Sequence, residues 1–170
     1  MKIKRIEFTL FIKIKIGEDI NLMKAIMSKN LEFLGDVNEY TIGDASKVAI
    51  FDYMTTRLPT DEQSVILSMQ TSSSPNFQDG RVFKSNTLEI SVRLNENLME
   101  TSQIMAINYG GKIINTSYNR GDYIQVKLEE IFNSSVVDGA VSKLNLQYSG
   151  QVASPVTGYV EYRLVYTYES

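Results

Sequence analysis

A chain of 170 residues is one ordinary domain long, and such a domain buries roughly 70% of the surface that its unfolded chain exposes. Apolar residues make up 43% and charged residues 22%, which excludes wholesale disorder and a fibrous repeat. A net charge of −3 with a pI near 5.1 argues against nucleic acid as a partner, since phosphate neutralisation calls for a strongly basic face.

From Ile6 the apolar residues alternate through Phe8, Leu10, Ile12, Ile14 and Ile16, with Glu7, Thr9, Lys13 and Lys15 between them. Only Phe11 interrupts the polar series. Alternation at period two places all six apolar residues on one face of a strand, so residues 1–16 are predicted to be an N-terminal strand or exchange arm. Lys13 and Lys15 break the apolar run and no small-residue cleavage site follows, so this stretch does not read as a signal peptide. The chain is then either kept in the cytoplasm or has already lost a leader. No run of about 20 apolar residues occurs, and no membrane-spanning helix is expected.

After Gly17 the spacing changes to Ile20, Met23, Ile26, Met27, Leu31 and Leu34. Steps of three and four predict one short helix, N-capped by Asp19 and stopped at Gly35. Strand patterns return at Val48 to Met54, Ser64 to Gln70, Thr87 to Leu94, Gln103 to Tyr109, Lys112 to Ser117, Tyr123 to Leu128, Lys143 to Tyr148 and Tyr159 to Tyr168. Gly110-Gly111 reads as a two-residue hairpin turn, because glycine accepts the positive φ that such turns need. Asn119 to Asp122 reads as a second turn, and the polar stretch Thr71 to Asn76 as a crossover loop. The expected fold is a single all-β domain over residues 1–170. It takes the form of an immunoglobulin-like sandwich, or a partly closed barrel, with one early helix.

The chemistry is bounded by what is missing. With no His and no Cys, thiol nucleophiles, disulfides, histidine triads and most zinc sites are ruled out. Neither a dinucleotide fingerprint nor a P-loop occurs, so no catalytic residue, metal or cofactor is assigned. The adjacent carboxylates Glu18-Asp19, Asp61-Glu62 and Glu129-Glu130 read as solvated surface. Asp36, Asn38 and Glu39 begin a calcium-like pattern, but Lys47 stands where the closing Glu belongs. Asn115-Thr116-Ser117 and Asn133-Ser134-Ser135 match the glycosylation pattern and read as coincidence. Tyr159, Tyr162, Tyr166 and Tyr168 suit either core packing, the preferred reading, or an aromatic sugar-binding face. The basic residues Lys2, Lys4, Arg5, Lys13 and Lys15 suit an anionic surface or protection of a strand edge.

Six apolar side chains on one terminal strand, at about 1.5–3 kcal/mol each when buried, could close the chain's own sheet or complete a neighbour's. The stretch from Ile107 to Thr116, then Leu146 to Gly150, and the ending Thr157 to Tyr166 resemble fimbrial subunits of the colonisation-factor type, assembled by the chaperone–usher route. That resemblance covers the last 70 or so residues plus the N-terminal strand. It implies an incomplete sandwich in which Ile6, Phe8, Leu10, Ile12 and Ile14 are donated to the next subunit. Val160, Tyr162, Leu164 and Tyr166 would line the acceptor groove. The implied partners are copies of the chain or related subunits, with a host or cell-surface receptor beyond them, in an extracellular fibre on the cell surface. The competing reading is a bacteriophage or virus structural protein, a tail, connector or capsid component of a virion, which the missing leader favours. A non-catalytic carbohydrate- or protein-binding module is a third reading.

Overall fold

The structure, a computed structural model, describes residues 5–54, 65–78, 81–99, 104–117, 119–133, 143–154 and 156–169. The first element corrects the sequence reading. Arg5–Glu18 is a helix, α1, although its apolar residues alternate. A period-two series contains a period-four series within it. Phe8, Ile12 and Ile16 therefore share a helical face and are buried, whereas Leu10 and Ile14, 200° further round, are 53% and 44% exposed. Phe8 stacks on Tyr168 with ring centroids 4.7 Å apart.

Asp19 caps α2 (Ile20–Met27) as predicted, its Oδ1 accepting from the Leu22 N–H at 2.9 Å. The helix stops well short of Leu34, at Ser28, and a separate 3-10 turn spans Phe33–Gly35. α3 (Ile42–Val48) begins at Thr41, whose hydroxyl accepts from the Asp44 N–H.

One mixed sheet follows, in the order β1-β2-β3-β7-β6. Its strands are β1 (Ile50–Phe51), β2 (Val65–Gln78), β3 (Arg81–Asn95), β6 (Asn145–Val152) and β7 (Tyr159–Glu169). Only β1 and β2 run parallel. The segment Thr71 to Asn76 lies within β2 and not in a crossover loop, paired with Leu88 to Phe83 of β3. β4 (Ile104–Tyr109) and β5 (Lys112–Ser117) form a separate two-stranded sheet.

Tyr123 to Leu128, predicted as a strand, belongs to α4 (Arg120–Phe132). Arg120, Ile124, Leu128 and Phe132 recur every four residues and are all buried, while Val126, which the alternating pattern also counted, is exposed. The predicted turn at Asn119 is this helix's start, the Asn119 side chain accepting from the Asp122 N–H at 2.7 Å.

The core lies on one face of the sheet. Val65, Leu67 and Met69, then Leu88, Ile90, Val92 and Leu94, then Val160, Tyr162, Leu164, Tyr166 and Tyr168 pack with Phe8, Ile12, Leu22, Ile26, Ile124 and Phe132 of the helices. The sheet-rich part of the expectation stands, but the layer opposite the sheet is helical. The arrangement is an open mixed sheet under helices, and not a sandwich of two sheets.

Candidate functional site

The residues assigned to donor-strand exchange lie on a helix and are divided between its two faces. Phe8 and Ile12 are core side chains, Leu10 and Ile14 face outward, and Ile6 lies on α1 with its side chain outside the described residues. The proposed acceptor residues Val160, Tyr162, Leu164 and Tyr166 are buried on β7, which is hydrogen-bonded to β3 on one side and β6 on the other. Strand addition needs a free edge, and β7 has none. The face those side chains present is covered by the chain's own helices.

Three of the four C-terminal tyrosines are core residues, and Tyr159 is half-buried. Tyr162, Tyr166 and Tyr168 are buried, and burial raises all three phenols, Tyr168 to about 12. The Tyr162 hydroxyl donates to Asp122 Oδ1 at 2.7 Å. This phenol lies against the first turn of α4, where a Cβ on Gly121 would fall 2.3 Å from Tyr162 Cε2. These rings cannot offer a flat sugar-binding face.

The carboxylate pairs take separate tasks. Asp19 caps α2 and Glu18 pairs with Lys15 at 3.4 Å. Glu129 accepts from Gln125 and Ser149, and Glu130 pairs with Lys127 at 3.4 Å. Asp61-Glu62, Ser134, Ser135, Lys2 and Lys4 lie outside the described residues. Among the described residues no group of three or more Asp, Glu, His or Cys is placed to hold a metal, and no helix is long and apolar enough to cross a membrane.

Two polar constellations escaped the sequence reading. In the first, Asp36 accepts from the Ser28 and Tyr40 hydroxyls, the latter at 2.6 Å, and from the Asn38 N–H and amide at 2.9 and 2.8 Å. These donors, Ser28 foremost, hold its carboxyl far below the usual range, and they occupy the oxygens that a calcium reading would have needed. Beside it Arg120, fully buried, donates to the carbonyls of Ser28, at 2.7 Å, and Asn30, and lies over the Phe33 ring.

The second lies on the sheet face away from the helices. Buried Glu161 accepts from Ser91 at 2.8 Å and pairs with Arg93 and Arg163, while Arg163 also reaches Glu89 at 3.1 Å. Charges at alternate positions of β3 and β7 were the available signal for this belt. The first cluster joins residues some 90 apart in sequence and left no local trace.

The exposed features lie elsewhere. A groove of about 470 Å³ runs past Lys15, Glu18, Asp19, Ile20, Asn21, Lys127 and Ile131. Lys127 lies 3.9 Å from Asp19 and 3.4 Å from Glu130 there, so its charge is balanced locally. The β2–β3 ribbon continues past the last β3–β7 rung, Ser85 with Glu169, through the rungs Pro75–Lys84 to Gln78–Arg81. The β4–β5 hairpin closes on Gly110 and Gly111, at φ 56° and 80°, the paired positive values of a type I′ turn. Gly110 to Asn115 are all exposed, with Ile113 at 74% and Ile114 at 45%.

No curated protein matches the chain. A family model described as YomW matches residues 19–168, from the cap of α2 almost to the end of β7, and the chain therefore belongs to the YomW family.

Proposed function

We propose that the protein is a non-catalytic subunit of a larger assembly, associating with copies of itself or with related subunits. The observation that carries this reading is the β4–β5 hairpin. It forms its own two-stranded sheet, joined to no strand of the main sheet among the described residues, and it holds Ile113 and Ile114 in water. Two strands alone are marginal in water and gain stability from a third strand or a packed surface, which an assembly would supply. The β2–β3 ribbon likewise runs on beyond its last rung with β7.

Of the assemblies that the sequence raised, a component of a phage or virus particle fits better than a fimbria. A fimbrial subunit donates its N-terminal strand, and here that segment is a helix within the chain's own core. Such a particle component needs no strand donation. The test is light scattering with negative-stain microscopy on the full chain. Rings, tubes or discrete oligomers are the expected result. A monomer near 19.2 kDa at every concentration would reject the assembly reading.

A further inference from the structure

Resting on that reading, we infer that the outer edge of β5 pairs with the same edge of a second copy, giving a four-stranded antiparallel sheet across a two-fold axis. The register follows from the turn. In a two-residue hairpin the residues flanking the loop, here Tyr109 and Lys112, exchange both backbone hydrogen bonds, and the bonding then alternates along the ladder. Ile114 and Thr116 therefore bond inward to Ile107 and Met105, their register partners. Ile113, Asn115 and Ser117 turn their N–H and C=O outward, toward no strand among the described residues.

Antiparallel partners must both point outward to bond. One register that satisfies this sets Ile113 against Asn115 of the second copy, in both directions. Ile114 then falls opposite Ile114 of the second copy in a non-hydrogen-bonded pair, where side chains come closest. Because Ile107 is the partner of Ile114 within the hairpin, the register places Ile107, Ile114, Ile114 and Ile107 in one row across the four strands.

Charge and edge chemistry agree with this occupant. Lys112 is the sole charged residue from Ile104 to Ser117. It falls opposite Thr116 of the second copy, so no like charges meet. Proteins blunt free edges with bulges, prolines or lysines. The edge strand β6 has such a device, a break in register between Leu146 and Tyr148. The β4–β5 ladder runs through six rungs without a break and without a proline, and its one lysine, Lys112, stands at the turn end, so the edge from Ile113 to Ser117 carries none of these devices.

The test uses the self-opposition of position 114. In the full chain, Ile114→Lys and Ile114→Glu are each expected to sediment as smaller species than the wild type. Each sets like charges together at the axis. An equimolar mixture of the two is expected to recover association as a Lys–Glu heterodimer, a result that misfolding of either variant could not produce. Asn115→Pro, which removes an outward N–H and leaves the β4 bonds intact, is expected to reduce association as well.

If Ile114→Lys associates as the wild type does, the β5 edge is not the contact, although the assembly reading survives through another surface. If both charge variants are folded by circular dichroism and smaller than the wild type, but their mixture does not recover, this register is wrong. A wild type that is monomeric throughout overturns both proposals.

Discussion

Replacing Arg120 probes how the loop after α2 is held against the first turn of α4. The guanidinium donates to the carbonyls of Ser28 and Asn30, and its Nε has no hydrogen-bond partner among the described residues. Each charge-assisted bond is worth about 1.5–3 kcal/mol, and a buried carbonyl left unpaired costs a similar amount. Against that gain stands desolvation, which pushes the Arg120 pKa down to about 10, a cost of about 3 kcal/mol in keeping the charge buried. Arg120→Ala loses both bonds and opens a cavity beside Phe33, while recovering the desolvation cost. The expected net loss is about 3 kcal/mol. Arg120→Met fills most of the space and isolates the hydrogen-bond contribution, with an expected loss of about 1–2 kcal/mol. Urea unfolding followed by far-ultraviolet circular dichroism measures both. If Arg120→Met were more stable than the wild type, the buried guanidinium would be a net burden, as some buried charges are, and its bonds to Ser28 and Asn30 would not be what holds the loop to α4.

Three further outcomes are expected. Ile12→Asp should unfold the protein or cost more than about 3 kcal/mol, whereas Leu10→Asp should stay within about 0.5 kcal/mol; equal losses in thermal melts would restore the strand reading of α1. Gly121→Ala should cost at least about 1–3 kcal/mol, because the new Cβ would collide with Tyr162; an unchanged melting temperature would mean that α4 does not approach β7 this closely. Stability should fall as pH rises above about 10, since burial raises the phenols of Tyr123, Tyr162, Tyr166 and Tyr168. A phenol with a raised folded pKa binds more protons folded than unfolded in that range, so its contribution is complete below the unfolded pKa and is lost on passing through the folded one. Arg120, lowered to about 10, acts in the opposite sense, but it is one group against four. Alkaline unfolding curves flat to pH 12 would contradict the burial of these rings.

What the sequence determined by itself was whatever a few neighbouring residues decide. Asp19 capped its helix because its carboxylate reaches the Leu22 N–H whatever lies further off. Gly110 and Gly111 turned the hairpin because glycine takes positive φ at no steric cost, and the turn needs two such residues in succession. The alternation of β3 and β7 was read correctly because both are interior strands with one face in the core.

Residues 5–18 and 120–132 went to helix against that same alternation, and only the tertiary structure could decide them. An apolar series spaced two apart contains a series spaced four apart, Phe8, Ile12 and Ile16 in the first segment and Ile124 and Leu128 in the second, so the pattern satisfied both periods. The sheet broke the tie. A further strand added at an edge, beside β1 or β6, would leave the apolar face of β2, β3 and β7 uncovered, and one laid across that face would have no partner for its N–H and C=O groups. A helix bonds its own backbone and can lie on the apolar face needing no edge. Arg120 shows the same limit, since its acceptors come from the loop after α2, about 90 residues away, and only folding brings them to it.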